Sequence, residues 1–392
     1  MTQIMKYDIL SIQERATMRK KEGRNVINGC AGMLFEEDKT LCAFESINDI
    51  LKERIDHYLA YPGVLGSEEF QEGVLSWLFE ERKEDLERRY TIAFGASLGG
   101  TGALYLAFKD FASKDCELLL SDIRWPNYDT LAKEAGIGFS IYSLFNDEET
   151  LNISDIKAKI DQSLTRFSSA LLLINDPCQN PLGYCMSERE YENLFALLES
   201  YRGKVSLLLD LAYVDYHPST FPLYDLLQKK TWNFSLFFAF SASKSFGLYG
   251  LRLGALIAFL QKGENKDKFL EDWKTIARGT YSCVNNGAMG PLTEFFHSPA
   301  ARFVTKEKIQ MESRRLFKMG ERLERLLDRL GLSYFPYKGG FYLTFKVEDS
   351  LSFCKKLESK DIYFAPIDER HIRIAVSGLS QGDLEELERR LS

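Results

Sequence analysis

The chain is punctuated by short apolar runs: LLLS at 118–121, ALLLIN at 170–175, VSLLLD at 205–210, SLFFAF at 235–240 and LGALIAF at 253–259. Runs this short, apolar without alternation, fit strands covered on both faces, as in a mainly parallel sheet. Helical periodicity fills several of the gaps. In 187–203, Tyr191, Leu194, Leu197 and Leu198 share one helical face and Gly203 supplies a stop. Alternation of this kind predicts a layered α/β fold with helices on both sides of the sheet. The runs at 235–240 and 253–259 lie too close for a crossover helix, so that pair is expected to be antiparallel.

Beyond about residue 298 the pattern changes. Residues 302–330 read as one long, charge-laced helix; strand-like FYLTF (341–345) and HIRIAV (371–376) follow, with helices around 349–359 and 381–391. This describes a smaller α+β lobe, joined by the segment before residue 44. The expected division is a large domain at 44–298 and a small domain built from 1–43 and 299–392. The connection is helical and not a Gly/Ser linker, so the lobes are expected to move as semi-rigid bodies.

Polar residues gather where the predicted strands end: SDIRWPNY after LLL, NDPCQNPLG after ALLLI, DLAY after VSLLL and SASK after SLFFAF. In open parallel sheets, ligands bind beyond the carboxyl ends of the strands, so these residues predict one site. In GASLGGTGALYLAF (95–108) a glycine pair opens a helix with Leu104, Ala107, Phe108 and Phe111 on its apolar side. Free N–H groups at such a helix start suit a phosphate. The spacing is neither the P-loop nor the dinucleotide fingerprint, which argues against ATP and NAD. Lys244 directly follows one predicted strand and Arg252 opens the next. At a sheet end an unpaired charge is costly. A ligand with a phosphate for Arg252 and an aldehyde for Lys244 relieves both costs.

Composition narrows the field. With 50 basic and 57 acidic side chains the net charge is −7, which lacks the basic face that nucleic-acid binding needs. Apolar residues make up 45%, enough for a large core. Seven cysteines without a CxxC pair and four scattered histidines indicate neither a disulfide framework nor a metal site, and a reducing cytoplasm is expected. The first residues mix acidic and basic side chains and lack the apolar stretch of a secretory signal. No run approaches the ~18 apolar residues of a membrane span.

The segment SASKSFGLYGLRLG (241–254) resembles the class I aminotransferases, pyridoxal 5′-phosphate (PLP) enzymes of fold type I, in the aspartate and aromatic aminotransferase branch. In chain order the likeness takes in INGCAGMLF (27–35), YPGVLGSEEF (61–70), GGTGALYLA (99–107), RWPNY (124–128), QNPLG (179–183), DLAY (210–213), ARGTYS (277–282) and RIAVSGL (373–379). What the resemblance implies is a three-layer large domain with a smaller α+β domain, and a homodimer with active sites shared across the interface. It implies that Lys244 carries PLP as a Schiff base and shuttles the substrate proton, that Asp210 pairs with the pyridine nitrogen, and that Tyr213 and Asn180 donate to the ring's 3′-oxygen. By the same resemblance Trp125 stacks on the ring. Gly99, Gly100, Thr101, Ser241 and Arg252 cradle the phosphate, with Tyr61 reaching in from a partner subunit. Gly32, Trp125, Asn180, Arg278 and Arg373 are the implied substrate contacts, Arg373 taking the α-carboxylate as a bidentate fork.

The reaction implied is transfer of the amino group of aspartate, an aromatic amino acid or both to 2-oxoglutarate, in a ping-pong sequence through pyridoxamine phosphate. Two departures bear on it. After Arg278 the family usually continues with Asn-Pro-Pro, where this chain has Cys283-Val284-Asn285-Asn286. Tyr128 and Asn175 stand where aspartate aminotransferases commonly place histidines, so the hydrogen bonds to Asp210 must come from different groups. The alternatives are another fold type I enzyme, such as a carbon–sulfur β-lyase, and a non-catalytic PLP-sensing regulatory module.

Overall fold

The apolar runs assemble into one seven-stranded sheet with both faces buried. In this computed structural model residues 9–219 and 221–391 are described; residues 1–8 and Ser392, which open and close the expected small domain, lie outside them, as does the start of the N-terminal segment read for a signal. The strands in chain order are β1 (Ile27–Asn28), β2 (Thr91–Ser97), β3 (Cys116–Ser121), β4 (Phe139–Tyr142), β5 (Ser169–Asn175), β6 (Val205–Asp210), β7 (Leu236–Ser241), β8 (Gly254–Leu260), β9 (Tyr342–Lys346), β10 (Ile362–Tyr363), β11 (Ala365–Pro366) and β12 (His371–Ala375). The large sheet runs β2-β8-β7-β6-β5-β3-β4, and β8 alone is antiparallel to its neighbours. The antiparallel β7–β8 pair expected from the short connection is present.

Side-chain alternation divides the core between the two faces. Leu172, Leu207, Leu209, Phe238 and Ile257 enter one cluster, and Leu171, Leu173, Leu208, Phe237 and Leu256 enter the other. Successive residues of a strand point to opposite faces, so a strand buried on both must be apolar throughout. Helix Gly99–Ala112 covers one face, burying Leu104, Ala107, Phe108 and Phe111. Helix Glu188–Glu199 covers the other, held at its start by a Ser187–Glu190 capping box.

The patterning underestimated two strands. β2 (TIAFGAS) is built largely of small residues, and β4 (FSIY) is an edge strand with Phe139 exposed, so neither makes a long apolar run. The 31-residue helix Pro299–Arg329 leads to an antiparallel sheet, β11-β12-β9. The segment before residue 44 joins that part of the chain: Ile27 pairs with Ile362, and Gly29 accepts the Ala375 N–H at 2.7 Å. This arrangement brings β12, with Arg373, opposite the carboxyl ends of β5, β6 and β7 through Asn180.

Candidate active site

Three neighbouring parallel strands end in polar residues at one edge of the sheet: β5 in Asn175, β6 in Asp210 and β7 in Ser241. Asp210 is buried. Its carboxylate accepts the Tyr128 hydroxyl at 2.6 Å and the Ala212 N–H at 3.0 Å. Burial pushes its pKa up, while the Tyr128 bond, the Ala212 N–H and the charge of Lys244 hold it down. The donors that stand in for the missing histidines are thus identified. Tyr128 serves the carboxylate directly. Asn175 donates to the Asp210 backbone carbonyl at 2.9 Å and accepts the Asn180 N–H at 2.8 Å, tying two strand ends together.

Lys244 lies in the short helix Ala242–Ser245 that continues β7. Among the described residues no carboxylate or hydrogen-bond acceptor takes its Nζ, which sits 5.0 Å from the Tyr249 ring centre and 5.9 Å from that of Tyr213. Burial lowers its pKa, and the cations Arg252 and Arg373 lower it further against the opposing pull of Tyr342 and Asp210. A lysine so placed is more readily the free amine, the form that attacks a carbonyl.

Helix Gly99–Ala112 begins without a side-chain cap, so its first N–H groups are left for another acceptor. A Cβ on Gly99 would lie 2.7 Å from an Arg252 nitrogen, and one on Gly100 would lie 3.0 Å from Ser241 Cβ. The helix start, Ser241 and Arg252 therefore converge as a cradle of anion-binding character. One expectation is corrected here. Arg252, at φ +53°, is exposed on the single chain, and its guanidinium donates to the Tyr249 carbonyl (2.8 Å) and the Ser243 hydroxyl (3.2 Å). The desolvation argument holds for Lys244 and not for Arg252.

Arg373 is buried. It donates to Asn180 Oδ1 at 3.1 Å and to the Cys30 carbonyl at 3.2 Å, while its Nε has no partner. A buried guanidinium with an orphaned nitrogen is poised for a carboxylate. The sequence reading missed Tyr342, the first residue of β9. Its ring lies 4.3 Å under the Arg373 guanidinium and its hydroxyl 3.4 Å from that of Tyr213. A Cβ on Gly32 would overlap the Tyr342 hydroxyl, which explains a glycine there. The tyrosine lay within FYLTF, where its alternation with Leu343 marked it only as a strand residue.

Tyr213 is buried, and burial together with Tyr342 raises its pKa, keeping it a donor. Trp125 is half-buried and edge-on to Tyr128, 5.5 Å between ring centres. Thr101 is half-buried in the first turn of the glycine-led helix. Two expected contacts stand apart. Tyr61 is 92% exposed, and Arg278, also exposed, donates to Ser282 Oγ at 3.1 Å. Among the described residues no cluster of metal-ligating side chains occurs, and no helix is long and apolar enough to cross a membrane.

The residues present suit a planar anionic aldehyde such as PLP: an unpartnered amine, a buried carboxylate, two phenols and an uncapped helix start beside an arginine. Comparison with known proteins agrees. The sequence model of the family described as aminotransferase class I and II matches residues 27–391. An aspartate aminotransferase from Sulfurisphaera tokodaii is 25% identical over 83% of this chain and 75% of its own length. The crystal structure of an aminotransferase from Anaerococcus prevotii superposes with a TM-score of 0.89 at 25% identity, covering 98% of this chain and 95% of that one. An aromatic-amino-acid aminotransferase from Burkholderia pseudomallei, a structure covalently bound to pyridoxal phosphate, shares the fold at a TM-score of 0.82 and 20% identity, covering 98% and 95%.

Proposed function

Because the chain belongs to the class I and II aminotransferases and takes pyridoxal 5′-phosphate as cofactor, we propose that it moves the amino group of aspartate, an aromatic amino acid or both to 2-oxoglutarate by ping-pong half-reactions at Lys244. The observation that carries this reading is the unpartnered, pKa-lowered amine of Lys244 beside the buried carboxylate of Asp210.

When bound, the cofactor supplies an electron-withdrawing ring that acidifies the substrate's Cα–H. Lys244 would hold the cofactor through Nζ and, as the free amine, would move the proton from Cα. Asp210 would keep the pyridine nitrogen protonated, and the Tyr128 hydrogen bond favours the ionised carboxylate against the effect of burial. Tyr213 and Asn180 donate to the ring oxygen, and Trp125 covers the ring. Gly99, Gly100, Thr101, Ser241 and Arg252 hold the phosphate. Arg373 grips the α-carboxylate beside Gly32 and Asn180, and Tyr342 fixes its plane from below. Approach of the small domain (1–43 and 299–392) to the large one (44–298) then excludes water.

Tyr61 and Arg278 complete the site from a second subunit in this reading. Their exposure, and that of the nearby Ile55 and Leu59, favours a homodimer. Seven free thiols fit a cytoplasmic setting.

Aspartate with 2-oxoglutarate should yield glutamate and oxaloacetate. Arg278→Ala should raise KM for aspartate by about 30- to 1,000-fold, the ~2–4 kcal/mol of a lost charge pair, and leave KM for phenylalanine nearly unchanged. Pyruvate and ammonia from cysteine, with no glutamate from any donor, would overturn the transfer reaction. Equal effects on both substrates would remove Arg278 from the specificity account.

Tyr128→Phe tests the support of Asp210. Losing a hydrogen bond to a charged group costs ~1.5–3 kcal/mol, so the carboxyl's pKa climbs. An ionised Asp210 is then reached only at higher pH, and the acid limb of kcat/KM should move up by about one to two pH units. An unmoved limb would show that the Tyr128 hydroxyl does not sustain the carboxylate.

A further inference from the structure

A second cluster of reactive groups lies just behind this site and takes no part in the chemistry above. Cys178 and Cys185 flank the turn that presents Asn180. Gln179 N–H donates to the Tyr184 carbonyl at 2.8 Å and Gly183 N–H to the Gln179 carbonyl at 2.6 Å, which closes the turn and sets the two cysteines opposite one another. Their sulfurs are 3.7 Å apart, and the Cys178 N–H points at the Cys185 sulfur at 3.2 Å. Residues facing each other across such a turn are within reach of a disulfide, whose sulfurs sit about 2 Å apart.

The two thiols are not equivalent. Cys178 is fully buried, and Cys185 is buried with 7% exposure. Burial acts to raise the Cys185 pKa, but the Cys178 thiol and N–H and the imidazole of His217 outweigh it and favour the thiolate. The Cys178 thiol is held protonated by burial and by its neighbour. Asp176 and Tyr337 also face the pair, and burial raises the pKa of each, while the Asp176 carboxyl accepts the Tyr191 hydroxyl and the Met186 N–H. The remaining buried cysteines, Cys30, Cys42, Cys116 and Cys354, are each pushed up to about 12, chiefly by burial, and have no such partner.

We propose that Cys178 and Cys185 form a modification site, a dithiol that peroxide converts reversibly to a disulfide. The Cys185 thiolate attacks one peroxide oxygen, the O–O bond breaks, and the departing hydroxide takes a proton to leave as water, giving a sulfenic acid. The Cys178 sulfur then attacks the Cys185 sulfur. The S–O bond breaks, the thiol proton leaves with the hydroxyl as a second water, and the S–S bond forms. Two electrons pass from the sulfurs to the peroxide. The new bond ties both ends of the 179–184 turn, fixing the support of Asn180 and hence its bond to Arg373.

The test needs neither cofactor nor turnover. The whole protein is treated with hydrogen peroxide, alkylated after unfolding and digested with trypsin, which leaves Cys178 and Cys185 together in the peptide 167–189. That peptide should lose two hydrogens and both alkylation sites while Cys30, Cys42, Cys116 and Cys354 remain alkylated, and dithiothreitol should restore it. Cys178→Ser should instead trap a sulfenic acid at Cys185 that a cyclic dione labels. Peptide 167–189 still fully alkylated when the half-exposed Cys283 is already oxidised would overturn the proposal. So would oxidation of Cys185 to the sulfinic acid with the Cys178 thiol intact.

Discussion

Replacing Lys244 with alanine should lower kcat by at least about 10⁴-fold, because in the proposed function one group supplies both the covalent hold on the cofactor and the proton transfer. The fold should not suffer. The Lys244 amine makes no ion pair or hydrogen bond among the described residues, and burial depresses its pKa, so its charge costs stability wherever the unfolded lysine is protonated. Removing it relieves that cost below the ordinary lysine range. Thermal melts of the cofactor-free variant should therefore match or exceed those of the parent, while the visible absorbance of the lysine-bound cofactor disappears. Turnover within tenfold of the parent would remove Lys244 from the mechanism. A melting temperature well below the parent's would show that the amine is structural.

Asp210→Asn should be the second most damaging change. The asparagine keeps the side-chain shape beside Tyr128 and Ala212 but removes the carboxylate proposed to pair with the ring nitrogen. Breaking one partner of a buried pair costs about 3–5 kcal/mol. At ~1.36 kcal/mol per tenfold that is a drop of roughly 10²–10⁴ in kcat. Cofactor affinity, read by titrating fluorescence of the apo-protein, should weaken as well. The parent's burial-raised Asp210 pKa adds a pH signature. Without a partner, the folded protein binds this proton more tightly than the unfolded chain, so stability falls as pH rises from the ordinary carboxylate range through the folded value. A bound pyridinium cancels that loss. The thermal gain on adding cofactor should thus be larger at neutral pH than near pH 4 in the parent, and nearly flat in Asp210→Asn. A variant with parental kcat and affinity would sink the proposed pairing.

The sheet was legible because burial on both faces demands uninterrupted apolar runs, and VSLLLD and SLFFAF have no other simple use. Strands β2 and β4 escaped for the converse reason, the first made of small residues and the second at a half-covered edge. Motifs placed Lys244, Asp210 and Asn180 at strand ends, since strand direction fixes where a following residue must lie. The role of Tyr342 could not be read that way. It depends on β9 approaching β12 and the turn at 213, contacts separated by up to 129 residues. The same holds for Tyr128 and Asp210, 82 residues apart, where the expectation was only that some other donor must exist. Arg252 shows the opposite limit. It stands just before β8, near where expected, but its exposure and its positive φ were signalled by no residue pattern.

The most direct test of the central claim is to reduce the cofactor-saturated protein with borohydride and map the attached group by mass spectrometry. One phosphopyridoxyl group per chain is expected, on the peptide containing Lys244 and on its Nζ. Attachment to a different lysine, or an unmodified Lys244 in protein whose cofactor is demonstrably bound, would contradict the claim.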